Sequence, residues 1–297
     1  MRHRREACPP GRVAYVNGRY CPRPAARVDV EDRGFQFGDA VYEVVALRDG
    51  HFLDEARHLD RLDRSLAALA IPAPMRRAAL RQVLRETARR NRVRDGLVYV
   101  QVTRGVAPRE HALSGPPPRP GLIVTARRLP LRPESLADRA ASAITWPDER
   151  WAHCDIKTTN LLPNVLARQA ARARGAQEAI LVDRNSMVTE GAATTVWIVD
   201  AEGVLRTRAL GPEILPGCTR AALLAALRAH GIACIEGAFS LDALRRAREV
   251  FLTSATSFVK PVLRLDGVPV GDGAIGPATR ALAAILLRAL AAEGGAA

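Results

Sequence analysis

Apolar residues along this chain either run together in short stretches or recur at steps of three and four, and these two patterns separate strands from helices. Val13–Val16 and Arg19–Tyr20 flank Asn17-Gly18, a dipeptide that two-residue hairpins favour because both positions accept positive φ. The run 41–47 predicts a strand that Asp49-Gly50 turns into a short return. Leu59, Leu62, Leu66 and Leu69 share one helical face, and Asp54 stands where an N-cap belongs. A second helix is predicted over 75–92, ending before Asp95-Gly96, with strands at 97–103 and 122–126 around a proline-rich loop at 114–120. Leu129-Pro130-Leu131-Arg132-Pro133 breaks regular structure and predicts a linker over 129–134. Beyond it, strands are predicted at 141–145, 179–182, 195–199, 204–207, 232–235 and 250–253. Helices are predicted at 164–174 and 219–230, stopped by Gly175 and Gly231, and a last one carries Pro277 in its first turn. The expected architecture is an α+β chain of two domains, residues 1–128 and 135–297.

Composition narrows the class. At 297 residues and 48% hydrophobic, the chain is long enough for two cores. No apolar run approaches the roughly 18 to 20 residues that a membrane helix needs, so no membrane partner is expected. Residues 1–11 are basic with no apolar stretch behind them and read as a frayed extension rather than a secretory signal. Five scattered cysteines without metal-ligand spacing predict a reduced, cytoplasmic protein with no metal site. The formal charge of +13 raises nucleic acid as a partner, but aromatic residues make up only 4%, and arginine is used on every helix face. The charge is therefore read as a field favouring small anionic substrates, with no nucleic-acid role.

One basic residue changes this picture. Of 44 Lys+Arg residues only Lys157 and Lys260 are lysines, and Lys157 lies in the sheltered stretch Asp155-Ile156-Lys157-Thr158-Thr159-Asn160. Arginine does not replace lysine where a primary amine must lose its proton and form a Schiff base. Lys157 therefore points to carbonyl or pyridoxal phosphate chemistry. Thirty-three positions later (190 − 157), Glu190 sits among small residues in Val188-Thr189-Glu190-Gly191, either as an exposed turn or as a buried carboxylate facing a cation. Arg109 and His111 alternate around Glu110 after Pro108, so the segment is read either as an extended chain in which both converge on one carboxylate or as an ordinary charged loop. Arg61 flanks the leucine face of its helix, as a surface residue or as a phosphate fork. Gly217-Cys218-Thr219-Arg220 opens a helix whose free N–H groups suit a phosphate, unless Thr219 is simply its N-cap, and Ser254-Ala255-Thr256-Ser257 supplies hydroxyls after a strand or is a polar loop. Tyr42, within Gly38-Asp39-Ala40-Val41-Tyr42-Glu43, is read either as a half-buried strand residue or as a substrate contact.

In this order, from about residue 13 to 280, these segments resemble the class IV (fold-type IV) pyridoxal phosphate-dependent aminotransferases, and within them the branch acting on D-amino acids. The resemblance implies a small N-terminal α/β domain and a larger, β-barrel-like C-terminal domain carrying the lysine. It implies that Lys157 forms the Schiff base with pyridoxal 5'-phosphate and that Glu190 keeps the ring nitrogen protonated. Arg61, Cys218, Thr219, Ser254 and Ala255 would surround the phosphate. Tyr42, Arg109 and His111 would trap the substrate carboxylate, the last two reaching in from the partner subunit of a homodimer.

The implied reaction is ping-pong transamination between a D-amino acid such as D-alanine and a 2-oxo acid such as 2-oxoglutarate. A branched-chain L-amino-acid aminotransferase and a 4-amino-4-deoxychorismate lyase share the lysine and the glutamate, and the Arg109-x-His111 pair argues against both. The chain departs from the pattern at Ala192-Ala193-Thr194-Thr195, where a serine run is usual, and at Ala255, where a hydroxyl is usual. Both departures imply weaker hold on the cofactor.

Overall fold

The Asn17-Gly18 hairpin forms as the sequence predicts: β1 (Val13–Val16) and β2 (Arg19–Pro22) pair around Asn17 at φ 47° and Gly18 at φ 98°. This computed structural model describes residues 12–129 and 135–294; the expected extension at 1–11 and positions 130–134 of the expected linker lie outside them. By packing, the chain divides into two units, Met1–Leu131 with Ile156–Asn160, and Arg132–Asp155 with Leu161–Ala297.

In the first unit a short helix, α1 (Arg33–Phe37), follows the hairpin. The Asp32 carboxylate caps it by accepting the Gly34 N–H at 2.8 Å, and left-handed Gly38 (φ 68°) ends it. Next come β3 (Ala40–Arg48), β4 (His51–Phe52), α2 (Glu55–Ala68), α3 (Arg77–Arg90), β5 (Gly96–Thr103) and β6 (Gly121–Arg128). The six strands form an antiparallel sheet in the order β2-β1-β6-β5-β3-β4. Leu59, Leu62 and Leu66 of α2 and Leu80 and Leu84 of α3 pack with Val98, Val100 and Val124 of the sheet. Each fully buried leucine stabilises the fold by about 1.5 to 3 kcal/mol. Asp54 occupies the N-cap position of α2 but does not cap it. Its own backbone is left-handed (φ 56°), and its carboxylate takes the Arg57 guanidinium at 2.5 Å.

The lysine segment joins this sheet. β4 pairs only with Leu47 and Arg48 of β3, which leaves the first half of that edge open. The Tyr42 N–H donates to the Lys157 carbonyl (3.0 Å), the Thr159 N–H donates to the Ala40 carbonyl (3.1 Å), and Val41 bridges Thr158. An open sheet edge draws a partner strand to its unpaired N–H and C=O groups. The sequence assigns Lys157 to the domain 135–297, yet its segment packs with the first unit.

The second unit contains β7 (Ala141–Pro147), α4 (Leu162–Ala173), β8 (Glu178–Val182), β9 (Val188–Gly191), β10 (Thr195–Val199), β11 (Leu205–Thr207), α5 (Cys218–Ala229), β12 (Ile235–Glu236), α6 (Leu241–Arg245), β13 (Glu249–Ser254), β14 (Phe258–Leu265), β15 (Val268–Pro269) and α7 (Pro277–Gly294). Its sheet runs β12-β11-β10-β13-β14-β7-β8-β9, with β15 on β14. β10 and the edge strand β9 lie five ladder steps apart, about 24 Å in a flat sheet. Three residues, Ala192 to Thr194, connect them and span at most about 15 Å. The sheet therefore curls on itself, in keeping with the barrel-like fold expected of this half.

The strand expected over 232–235 forms only as β12, and β9, β14 and β15 are strands beyond those expected. Glu190 lies in β9, whose four residues are all buried, so of its two readings the buried one applies. β14 is a central strand although it contains Lys260 and Pro261, and its parallel ladder to β7 starts only at Val262, past the proline.

Candidate active site

In the first unit the Lys157 Nζ sits 4.3 Å from the centroid of the Tyr42 ring, and Tyr42 stacks on Tyr99 of β5 at 5.6 Å and 29°. The ring face attracts the cationic amine and fixes where the lysine ends. Burial pushes the Tyr99 phenol up to about 12, so it stays a neutral donor, bonded to Gln101 Oε1 at 2.7 Å.

One residue along β3, Glu43 is fully buried, and Arg61 meets it with two hydrogen bonds, Nε to Oε1 at 2.6 Å and Nη2 to Oε2 at 2.8 Å. His58 Nδ1 lies 2.7 Å from Oε2. Burial alone would raise the Glu43 carboxyl, but the Arg61 charge and bonds, helped by His58, outweigh it and hold the group at about 2. Arg61 is thus buried in an ion pair and is not a surface residue.

Arg109 and His111 lie on the loop between β5 and β6, both exposed and both against Phe37. The Arg109 Cζ is 4.9 Å from that ring's centroid, and the His111 ring is 5.6 Å from it.

In the second unit Glu190 is buried on β9. The Leu215 N–H donates to its Oε2 at 3.1 Å and the Arg150 guanidinium donates to its Oε1. Arg150 is committed elsewhere too: Nε and Nη2 grip Asp148 at 2.8 and 2.7 Å, and Nη2 donates to the Glu213 carbonyl at 2.9 Å. The Thr189 hydroxyl donates to Asp148 at 2.6 Å. Burial pushes Glu190 up to about 7, against the pull of Arg150 and of the Leu215 N–H, and the Asp148 charge adds to the rise. Asp148 goes the other way: the Arg150 bonds overcome its own burial and keep it low.

Leu215 leads to the start of α5, where Gly217 is the N-cap and no side chain caps the helix. Thr219 is therefore the second residue of the helix and not its cap. Gly217 lies against Thr195, where an added Cβ would sit 3.0 Å from the hydroxyl, and Thr195 pairs with Thr253 of β13. Ser254 ends that strand, its hydroxyl bonded to those of Ser257 (2.8 Å) and Thr256 (3.2 Å), with Ala255 in the turn between. This unit therefore brings Thr195, the α5 N-terminus and the end of β13 together, with Glu190 tied to the same chain through Leu215. The first unit brings Lys157 to Tyr42, and both Arg109 and His111 to Phe37.

The sequence profile of the family Amino-transferase class IV matches residues 40–265. The chain belongs to the class IV aminotransferases. It is similar to the D-alanine aminotransferase of Listeria innocua serovar 6a, with 44% identity over 268 residues covering 90% of this chain and 92% of that protein. It shares its fold with a branched-chain amino acid aminotransferase from Escherichia coli (TM-score 0.82, 25% identity, 92% of each chain). The same fold is found in a hypothetical aminotransferase from Mycobacterium tuberculosis in its PLP-bound form (TM-score 0.79, 23% identity, 95% of this chain and 99% of that one).

For this class IV aminotransferase, Arg150, Asp148, Glu43 and His58 are the polar residues that motif reading passed over. Each had a signal. Asp148 and Arg150 are two apart in extended chain, and Glu43 interrupts an otherwise apolar strand. Among the described residues no cluster of side chains is arranged to hold a metal ion.

Proposed function

We propose that this protein transfers amino groups between a D-amino acid, such as D-alanine, and a 2-oxo acid, such as 2-oxoglutarate, with pyridoxal 5'-phosphate as its cofactor. The observation that carries the choice of D-substrates is the placement of Arg109 and His111 on one ring, that of Phe37, as two partners for a substrate carboxylate. The 44% identity to a D-alanine aminotransferase supports it.

The residues present fit the cofactor. A buried carboxylate at about 7, whose guanidinium is shared with a second acid, suits a cationic ring nitrogen. The uncapped N-terminus of α5, with the Cys218 and Thr219 N–H groups and the Thr219 hydroxyl, suits a phosphate. Ser254, the Ala255 main chain and Arg61 complete that phosphate set in this reading, with Glu43 holding Arg61 in place. When bound, pyridoxal phosphate supplies an aldehyde carbon for the amine and a ring that stores the electron pair released at the substrate Cα.

The protein's own groups do the rest. Lys157 would hold the cofactor at its aldehyde carbon through Nζ and, as a free amine, would take the proton at the substrate Cα. Tyr42 holds the lysine at the ring face and turns its hydroxyl to the substrate carboxylate. Arg109 and His111 fix that carboxylate, and with it which face of Cα meets Nζ.

Because Arg109 and His111 are exposed on their own chain, the reading gives them to the active site of a second copy in a homodimer. Val30, Phe35 and Val106 expose apolar surface beside the same loop, as a contact surface would. No described helix is long and apolar enough to cross a membrane, and the four described cysteines are free. In this reading the enzyme acts in the cytoplasm, on small anionic substrates and not on nucleic acid.

The test is a coupled assay of D- against L-alanine, and of D- against L-glutamate, with 2-oxo acid acceptors. D-Alanine should be the better donor by orders of magnitude, and Lys157→Ala should abolish both turnover and the visible absorbance of the cofactor adduct. Preference for L-donors, above all branched-chain ones, would overturn the reading, as would turnover surviving in Lys157→Ala.

A further inference from the structure

Three cationic or ionisable side chains share the Phe37 ring. The Arg33 Cζ lies 4.8 Å from its centroid, the Arg109 Cζ 4.9 Å, and the His111 ring 5.6 Å at 44°. Arg33 and Phe37 are four apart on α1 and so present to the same side of that helix. Arg33 is buried, and Asp39 anchors it by accepting its Nε at 3.0 Å while also accepting the Nε of Arg104 at 2.6 Å. Its remaining donors run to the loop itself, Nη1 to the Glu110 carbonyl at 2.5 Å and Nη2 to the His111 carbonyl at 3.1 Å. The main chain of the loop is thus tethered by Arg33 and its two functional side chains rest on Phe37. The far end of α1 abuts the lysine segment: the Thr159 hydroxyl donates to the Gly38 carbonyl at 3.1 Å, and a Cβ at Gly38 would collide with the Asn160 amide.

We propose that Phe37 is a specificity-determining positioning residue, whose ring face, backed by Arg33, sets where Arg109 and His111 meet the substrate carboxylate. This rests on reading those two residues as the carboxylate trap. An exposed arginine samples many rotamers, and fixing it on binding costs entropy. A ring that already holds the guanidinium removes part of that cost before substrate arrives. The arrangement also separates the two guanidiniums by role. Asp39, shared with Arg104, anchors Arg33 as the tether, while Arg109 is left to meet the ligand.

The test compares Phe37→Leu, which removes the ring face, with Phe37→Tyr, which keeps it, both as holoenzyme. Phe37→Leu should raise KM for D-alanine and for 2-oxoglutarate about two- to fivefold, the size of one lost cation–aromatic contact at an exposed site. It should leave kcat within about twofold and the cofactor absorbance unchanged, because Phe37 touches neither the lysine nor the cofactor set. Phe37→Tyr should stay near wild type. Phe37→Met, without a ring but of similar bulk, gives the same comparison should the leucine variant fold poorly.

The His111 Cε1–H resonance, assigned with His111→Gln, adds a readout independent of turnover. It should move in Phe37→Leu and hold in Phe37→Tyr. Unchanged KM in Phe37→Leu, equal impairment by leucine and tyrosine, or a stationary His111 resonance would each overturn the proposal. Should the wild-type enzyme fail to use D-amino acids, the reading of its substrate falls by itself, while the resonance still decides whether Phe37 holds the loop.

Discussion

Two buried glutamates in this protein each face an arginine, yet they end in opposite states. Glu43 in the first unit is held at about 2, and Glu190 in the second is pushed up to about 7. Burial raises both. The difference is in how the partner is divided. Arg61 gives Glu43 two well-formed bonds, and His58 adds a third contact. Arg150 spends its two-point grip on Asp148, bonds the Glu213 carbonyl as well, and reaches Glu190 with one nitrogen. One guanidinium among two carboxylates leaves a negative charge unbalanced in a buried site, and that charge is carried at Glu190. The first cluster is electrostatically complete and serves to place Arg61. The second is short of one cation, which is what a protonated ring nitrogen would supply.

Glutamine substitutions break this comparison with the largest expected effect. Glu43→Gln removes the carboxylate that offsets the buried Arg61 guanidinium and should destabilise the cofactor-free protein by about 3 to 5 kcal/mol in urea unfolding. Glu190→Gln should destabilise it little, because Asp148 continues to hold Arg150, yet it should lower affinity for pyridoxal phosphate and nearly abolish turnover. Similar stability losses in the two variants would mean that the two clusters are equivalent after all.

The pH dependence sharpens the same contrast. Glu190 titrates at about 7 in the fold against an ordinary value of 4.5. The folded state therefore binds the proton more tightly, and the stability this contributes is full below pH 4.5 and lost as pH rises through 7. Glu43 runs the opposite way: its contribution is present above 4.5 and lost as pH falls toward 2. Between about pH 5 and 8 the melting temperature of cofactor-free wild type should thus fall relative to Glu190→Gln. Added pyridoxal phosphate should flatten that fall by supplying the missing cation. Parallel melting curves for the two proteins across this range would refute the elevated value.

Legibility in the sequence follows the range of the interactions. The Asn17-Gly18 hairpin, the leucine face of α2 and the glycine-stopped helices α4 and α5 depend on neighbours within a few positions, and their patterns are readable. β14 is hidden because Lys260 and Pro261 break the apolar run that marks a strand, although its ladders accommodate both. The placement of Ile156–Asn160 with the first unit is hidden as well, since it depends on an open edge of β3 more than a hundred residues away. At the candidate site, Lys157 and Glu190 stand out as residue types that are costly or unusual where they occur. Their partners do not: which arginine meets which glutamate, Arg61 with Glu43 or Arg150 with Glu190, is decided by tertiary contact, and an arginine-rich chain offers too many choices.

The smallest change tests whether the guanidinium or the hydroxyl organises the second cluster. Thr189 donates to Asp148 at 2.6 Å and also lies 3.2 Å from the Leu181 carbonyl. Thr189→Val keeps the shape and deletes that donor, so it should cost about 1 kcal/mol, the net worth of one buried hydrogen bond. Asp148 would then depend more fully on Arg150, and Glu190 would gain nothing from the change. The melting curve of Thr189→Val between about pH 5 and 8 should therefore run parallel to that of wild type, only lower. A loss well beyond about 3 kcal/mol, or a slope that flattens, would place control of the Glu190 charge with Thr189 and Asp148. The contrast with Glu43 would then arise from hydroxyl bonding and not from a shared arginine.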